Sequence, residues 1–138
     1  MSYLHTICYG DTDAGGVVYF ATYLRLCEEA WLHFLKQRGW DLSAMHTSGM
    51  YLTVKRVEAD YLTPARFGEK IEIVTRIHEL SRASFWFRHV LRNPGDSTLY
   101  ATVRNQMVAV DTSGKLRRLP LALKEILMQD MEKSFEKR

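Results

Sequence analysis

A chain of 138 residues with 46% hydrophobic and 25% charged side chains is expected to fold as one domain over residues 1–138, and that balance excludes disorder. Its net charge of +3 is carried among 19 scattered Lys and Arg residues, too little to argue for a nucleic-acid partner, and its apolar stretches are too short for membrane insertion. Neither a basic n-region nor an apolar h-region opens the chain, and Cys8 and Cys27 make no disulfide framework, so a cytoplasmic location with both thiols reduced and buried is expected.

Residues 3–9 alternate β-forming side chains and read as a strand; Gly10 to Gly16 is a turn by composition. From Val18 to Arg38 the period becomes helical, with Phe20, Tyr23, Leu24, Cys27, Ala30, Trp31, Phe34 and Leu35 on one stripe and Gly39 as the stop. Arg25 and Glu29 stand four apart on its polar side. A short helical turn over Leu42–Thr47 follows. Four segments rich in Val, Ile, Thr, Tyr and Phe come next, at Tyr51–Tyr61, Lys70–Glu79, Ser84–Arg92 and Leu99–Asp111. In the last, Ala101, Val103, Asn105, Met107 and Ala109 face one way and Thr102, Arg104, Gln106, Val108 and Val110 the other. Asn93-Pro94-Gly95-Asp96 marks a hairpin and Thr112-Ser113-Gly114 a turn. Pro120 opens a final helix whose apolar positions are Leu123, Ile126, Leu127, Met131 and Phe135, with Glu132, Lys133, Glu136, Lys137 and Arg138 on its solvated side. The order predicts an α+β layer architecture, one helix against an antiparallel sheet too wide for it, and hence an oligomer.

The chemistry concentrates in Tyr9-Gly10-Asp11-Thr12-Asp13-Ala14-Gly15-Gly16-Val17-Val18-Tyr19-Phe20. Two carboxylates sit in a strand-to-helix turn, and Gly15 and Gly16 permit close approach of backbone to a ligand. First-turn N–H groups at the positive end of a helix can stabilise a developing oxyanion, and a carboxylate beside them can act as nucleophile or base. Spacing alone leaves the alternative open that Asp11 or Asp13 merely caps the helix.

This run, continued by Tyr23-Leu24 and Glu28-Glu29-Ala30, resembles the signature of the 4-hydroxybenzoyl-CoA thioesterase family, whose bacterial relatives include Tol–Pal-associated acyl-CoA thioesterases and 1,4-dihydroxy-2-naphthoyl-CoA thioesterases. The likeness extends through Ala59-Asp60-Tyr61-Leu62-Thr63-Pro64-Ala65 and Arg117-Arg118-Leu119-Pro120, nearly the whole chain. It implies a hot-dog fold, an antiparallel sheet wrapped around one long central helix, and hydrolysis of an acyl-CoA thioester to a carboxylic acid and free CoA. It assigns the family's acid to Asp13, leaves Asp11 structural, puts the carbonyl-polarising N–H near Phe20, and has Gly16 and Val17 shape the approach. Many relatives carry His where this chain has Phe20, so Asp13 lacks an imidazole neighbour from that position; the dihydroxynaphthoyl branch also tends to Phe there.

For the coenzyme, the resemblance points to Arg82 and Ser84 in Leu80-Ser81-Arg82-Ala83-Ser84-Phe85 and to Arg117 and Arg118, guanidinium groups suited to phosphate. Tyr51, Leu52, Thr53 and Val54, with Tyr19, Tyr23 and Trp31, are the expected pocket walls. The resemblance implies no cofactor, and the five histidines show no metal-ligand spacing. It implies a homodimer or homotetramer with the site at the subunit seam. Rival readings are a thioesterase for acyl carrier protein, which would need a basic docking surface, and a non-catalytic acyl- or CoA-binding module. Whether the acyl group is aliphatic or aromatic is not encoded in any single residue.

Overall fold

The computed structural model describes residues 2–131. Its elements in chain order are β1 (Ser2–Thr6), a single 3-10 turn at Tyr9–Asp11, α1 (Thr22–Gln37), α2 (Leu42–Thr47), β2 (Met50–Tyr61), β3 (Lys70–His78), β4 (Ser84–Arg92), β5 (Leu99–Asp111), β6 (Leu116–Arg117) and α3 (Leu121–Gln129). The strands form one sheet in the order β1–β3–β4–β5–β2, and β6 pairs with β5. The β1–β3 and β5–β6 pairs are antiparallel, the first in the register Ser2 to Val74 through Thr6 to Lys70. No helix of the described residues is long and apolar enough to cross a membrane.

Most expected elements form where patterning puts them, and the differences have local causes. Helix α1 starts at Thr22, four residues later than its periodicity suggests. Val17 and Val18 are drawn into extended pairing instead: Val17 bridges Arg66, Val18 bridges Thr12, and Val18 N–H donates to the Ala65 carbonyl at 2.8 Å. Leu26, outside the expected stripe, is fully buried, whereas Phe20 is 58% exposed. Gly39 closes α1 at φ 81°, with Gly39 N–H on the Lys36 carbonyl and Trp40 N–H on that of Leu35, the paired bonds of a Schellman stop. Strand β1 ends at Thr6, and Tyr9 belongs to the 3-10 turn. Helix α3 ends at Gln129; Met131 forms a parallel bridge with Ile77. The expected helical positions beyond it, Phe135 and the charged residues around it, lie outside the described residues.

The chain divides into two compact units. The first comprises residues up to Phe34, Glu58–Thr75 and His89–Val103. In it the apolar face of α1 (Tyr23, Leu26, Cys27, Ala30) packs on Ile71, Ile73, Leu91, Ala101 and Val103 of the sheet. Burying branched and aromatic side chains from a sheet against a helical stripe is what gives such a layer its stability. The second unit holds Leu35–Val57, Arg76–Arg88 and the residues from Arg104 onward. There Phe85 and Phe87 meet edge to face at 5.0 Å, and Met107, Leu123 and Leu127 are fully buried. Arg38 clamps Asp130, with Nη2 donating to Oδ1 at 3.0 Å. Strand β5 keeps its expected inner face of Ala101, Val103, Asn105, Met107 and Ala109, all buried.

Candidate active site

Asp13 sits at the head of a tight loop. Its N–H donates to the Val17 carbonyl at 2.8 Å, and its own carbonyl accepts from Gly16 N–H at 3.0 Å. Gly16 adopts φ +80°, a conformation that side chains resist. The Asp13 carboxylate is solvent-exposed, with Oδ1 accepting the Gly15 N–H at 2.8 Å. A carboxylate held by one N–H of its own loop keeps its remaining lone pairs available for chemistry.

Asp11 has the opposite environment. It is 1% exposed and collects four donors: the Cys8 N–H at 2.9 Å, the Cys8 thiol at 3.2 Å, His5 Nε2 at 2.8 Å and Arg25 Nη2 at 2.7 Å. Burial pushes its carboxyl up, but the bonds from Cys8 N–H, His5 and the Cys8 thiol outweigh that and hold it at about 2. An ionised carboxylate only accepts, so His5 Nε2 carries the proton in this contact. Arg25 also pairs with Glu29, the expected i, i+4 partner, and the Tyr3 hydroxyl donates to Glu29 at 2.9 Å. The Asp11 carbonyl accepts from Tyr19 N–H at 2.9 Å. Asp11 therefore fixes the backbone on which Asp13 rides. The cysteines differ in kind: Cys27 is buried as expected, but Cys8 is exposed, with its thiol donating to Asp11.

Between Tyr19 and Thr22 the chain makes a turn before the helix. Thr22 N–H donates to the Tyr19 carbonyl at 2.9 Å. The bond that closes such a turn uses neither central N–H, here those of Phe20 and Ala21. Phe20 thus lies two residues before α1, and its N–H belongs to this turn, not to the first turn of the helix as expected.

Asp13, Val17, Val18, Phe20, Tyr23, Tyr61, Leu62, Thr63 and Pro64 line a cleft of about 360 Å³ in the first unit. Phe20 meets Tyr61 edge to face at 6.5 Å, and Tyr23 tilts on Tyr61 at 5.5 Å. A second cleft of about 520 Å³ is lined by Asp13, Gly16, Tyr9, Thr12, Ala14 and Phe67. Three of the four expected catalytic residues (Asp13, Val17 and Phe20) share the first cleft; Gly16 opens on the second. Tyr23 lines the first cleft as expected, while Tyr19 tilts on Phe20 at 4.8 Å outside it and Trp31 is a core residue at 6% exposure. The walls that sequence reasoning missed are Tyr61 to Pro64, which lie within the quoted Tyr61-Leu62-Thr63-Pro64 motif and could have been found there.

The expected coenzyme residues belong to the second unit. Leu119 N–H donates to the Arg82 carbonyl at 2.9 Å, bringing the two basic segments side by side. Arg82 and Arg118 are exposed. Arg117 is engaged by Asp111, with Nε at 2.9 Å and Nη2 at 2.8 Å from Oδ2. Ser84 shares a 2.8 Å hydroxyl contact with Ser81. Tyr51 and Leu52 are half-buried and Thr53 exposed, with the Tyr51 ring 4.8 Å from that of His46. Among the described residues no three His, Cys, Asp or Glu side chains gather to hold a metal ion.

The sequence pattern that defines the thioesterase-like superfamily matches residues 8–129. The 1,4-dihydroxy-2-naphthoyl-CoA hydrolase of Rippkaea orientalis is 33% identical over 129 residues, 92% of this chain and 91% of its own. The acyl-CoA thioester hydrolase YbgC of Escherichia coli is 29% identical over 126 residues, 91% of each chain. The crystal structure of the DHNA-CoA thioesterase from Staphylococcus aureus superposes with a TM-score of 0.90 at 20% identity, covering 99% of this chain and 94% of that one. That likeness shows the fold, α+β of the hot-dog type.

Proposed function

The chain belongs to the thioesterase-like superfamily and is a thioester hydrolase of the acyl-CoA thioesterase kind, and on that premise we propose that Asp13 is its catalytic carboxylate. The observation that carries the proposal is the position of an exposed Asp13 carboxylate on an apolar cleft that Phe20 also lines. With the substrate carbonyl seated against that turn, the Phe20 N–H polarises the carbonyl oxygen, and Val17 and Gly16 bound the approach to it. Asp13 then acts by one of two routes. As nucleophile, a carboxylate oxygen bonds to the carbonyl carbon, the C–S bond breaks, the CoA sulfur leaves and takes a proton, and water opens the mixed anhydride. As general base, Asp13 removes a proton from water, which attacks in its place. Either way one water is consumed, and carboxylic acid and free CoA result.

The acyl group occupies the cleft of Phe20, Tyr23, Tyr61 and Leu62, whose aromatic walls suit aryl and short alkyl chains. Arg82, Ser84 and Arg118 serve the coenzyme phosphates, with Tyr51, Leu52 and Thr53 beside the pantetheine; Arg117 is the weaker contributor, being held by Asp111. The chain works as a homodimer or larger homo-oligomer in the cytoplasm. The support for association is β2, whose burial pattern contains no buried residue over its 12 positions and whose Val54 and Val57 are 46% and 44% exposed.

The test is release of free thiol from benzoyl-CoA, 1,4-dihydroxy-2-naphthoyl-CoA and hexanoyl-CoA, beside the same acyl groups on a carrier protein. Turnover of a CoA ester is expected, and its acyl preference names the substrate. Turnover confined to the carrier-bound forms, or none at all, would overturn the proposal.

A further inference from the structure

We infer that Tyr61 is a positioning residue for the carbonyl-polarising turn, its hydroxyl holding the Phe20–Ala21 peptide by the Phe20 carbonyl so that the turn keeps the shape in which its Phe20 N–H meets the substrate. The inference rests on the proposed role of that turn and adds a residue to it.

Phe20 stands between two peptide planes, and each is tied from a different direction. The Tyr19–Phe20 plane is set by its carbonyl, which accepts from Thr22 N–H at 2.9 Å; one plane earlier, Tyr19 N–H donates to the Asp11 carbonyl at 2.9 Å. In a trans peptide the N–H and the carbonyl point opposite ways, so anchoring the Tyr19 carbonyl aims the Phe20 N–H outward. The plane after it has the Phe20 carbonyl, and that carbonyl accepts the Tyr61 hydroxyl at 3.1 Å. The turn lies ahead of the regular helix, so the ladder that would fix a helical residue does not fix Phe20. A side chain 41 positions away supplies the restraint instead.

The tyrosine is well placed to hold it. Tyr61 closes β2 and is itself braced by ring contacts with Phe20 and Tyr23. Leu62 and Thr63 N–H groups, next along the chain, both donate to the Tyr100 carbonyl, at 2.9 and 3.2 Å, so the backbone carrying the ring is fixed. Burial pushes the Tyr61 hydroxyl above its ordinary value, with Cys27 adding to the effect, and the group stays a neutral donor at working pH. Phenylalanine at 61 would keep the ring and the apolar wall and remove only this donor.

The experiment uses the full chain and two readouts. Kinetics of Tyr61→Phe with benzoyl-CoA should show kcat lowered about 5- to 20-fold, a fraction of the loss expected when an oxyanion donor is removed outright, with KM within about twofold and thermal midpoint unchanged. Infrared difference spectra should be taken with a carbon-13 ketone analogue of benzoyl-CoA, in which a methylene replaces the sulfur. The bound carbonyl should be shifted to lower frequency in the parent and less so in Tyr61→Phe. A carbonyl shift and a kcat that both survive the substitution would overturn the positioning role and leave the turn's role intact. A raised KM with unchanged kcat would also overturn it, reducing Tyr61 to a cleft wall. No carbonyl shift in the parent would instead remove the polarising turn, and the inference with it.

Discussion

Arg25 Nη2 lies 2.7 Å from Asp11 Oδ1, and Asp11 in turn receives the Cys8 N–H and His5, so a charge on α1 locks the loop that carries the candidate catalytic residue. The two aspartates of one short motif thereby divide the work, one buried and saturated with donors, the other exposed with one loop N–H. Removing Asp11 leaves the half-exposed Arg25 with Glu29 alone and unpairs the Cys8 N–H. Asp11→Ala is expected to cost about 2–3 kcal/mol and to lower the thermal midpoint by roughly 10 °C. Calorimetry on the purified variant checks this; a midpoint within a degree or two of the parent would contradict it.

Acid should act through the same residue. The folded carboxyl, at about 2, is below its ordinary 3.8, so its contribution is fully present above pH 4 and is lost as pH falls through 2. That lowering corresponds to about 2 kcal/mol. Urea midpoints measured from pH 5 to pH 2 are expected to fall in the parent and to fall less steeply in Asp11→Asn. Parallel slopes for the two would contradict the assignment.

The neighbouring glycines should respond differently to alanine. A Cβ at Gly15 would stand 3.2 Å from Asp13 Oδ1, whereas one at Gly16 meets nothing within 4 Å but is held at φ +80°. Gly15→Ala is therefore expected to displace the carboxylate and lower kcat about tenfold while leaving stability near the parent's. Gly16→Ala should lose about 1 kcal/mol of stability through backbone strain. Equal kinetic losses in the two variants would argue against Asp13 as the sensitive group.

Arg118 and Arg117 adjoin in sequence, but only Arg117 is neutralised by Asp111. Arg118→Ala is expected to raise KM for an acyl-CoA about three- to tenfold, and Arg117→Ala less, with no change for the corresponding acyl-pantetheine, which has no nucleotide. The two substrates compared at one acyl chain make the measurement. An equal KM rise for the acyl-pantetheine would exclude phosphate contact.

Period and turn chemistry made much of this molecule legible in the sequence. The inner face of β5, the α2 turn over Leu42–Thr47 and the Gly39 stop are where alternation, composition and φ preference place them. The start of α1 was not legible, because Val17 and Val18 fit a helical period as well as a strand, and only their pairing with Arg66 and Thr12 decides for extended backbone. Asp13 was singled out by resemblance, since an aspartate before a helix is chemically as good a cap as a catalyst. The Tyr61 hydroxyl on the Phe20 carbonyl is a contact across 41 positions, and no local pattern encodes it.

The most direct measurement is kcat/KM for Asp13→Asn beside the parent, on whichever acyl-CoA the parent turns over best, with the thermal midpoint of both recorded. Asparagine keeps the loop's shape and an oxygen for the Gly15 N–H while removing the carboxylate charge. A fall of at least about 1,000-fold at an unchanged midpoint is predicted for a nucleophile or general base. Turnover within about tenfold of the parent would contradict a catalytic role for Asp13.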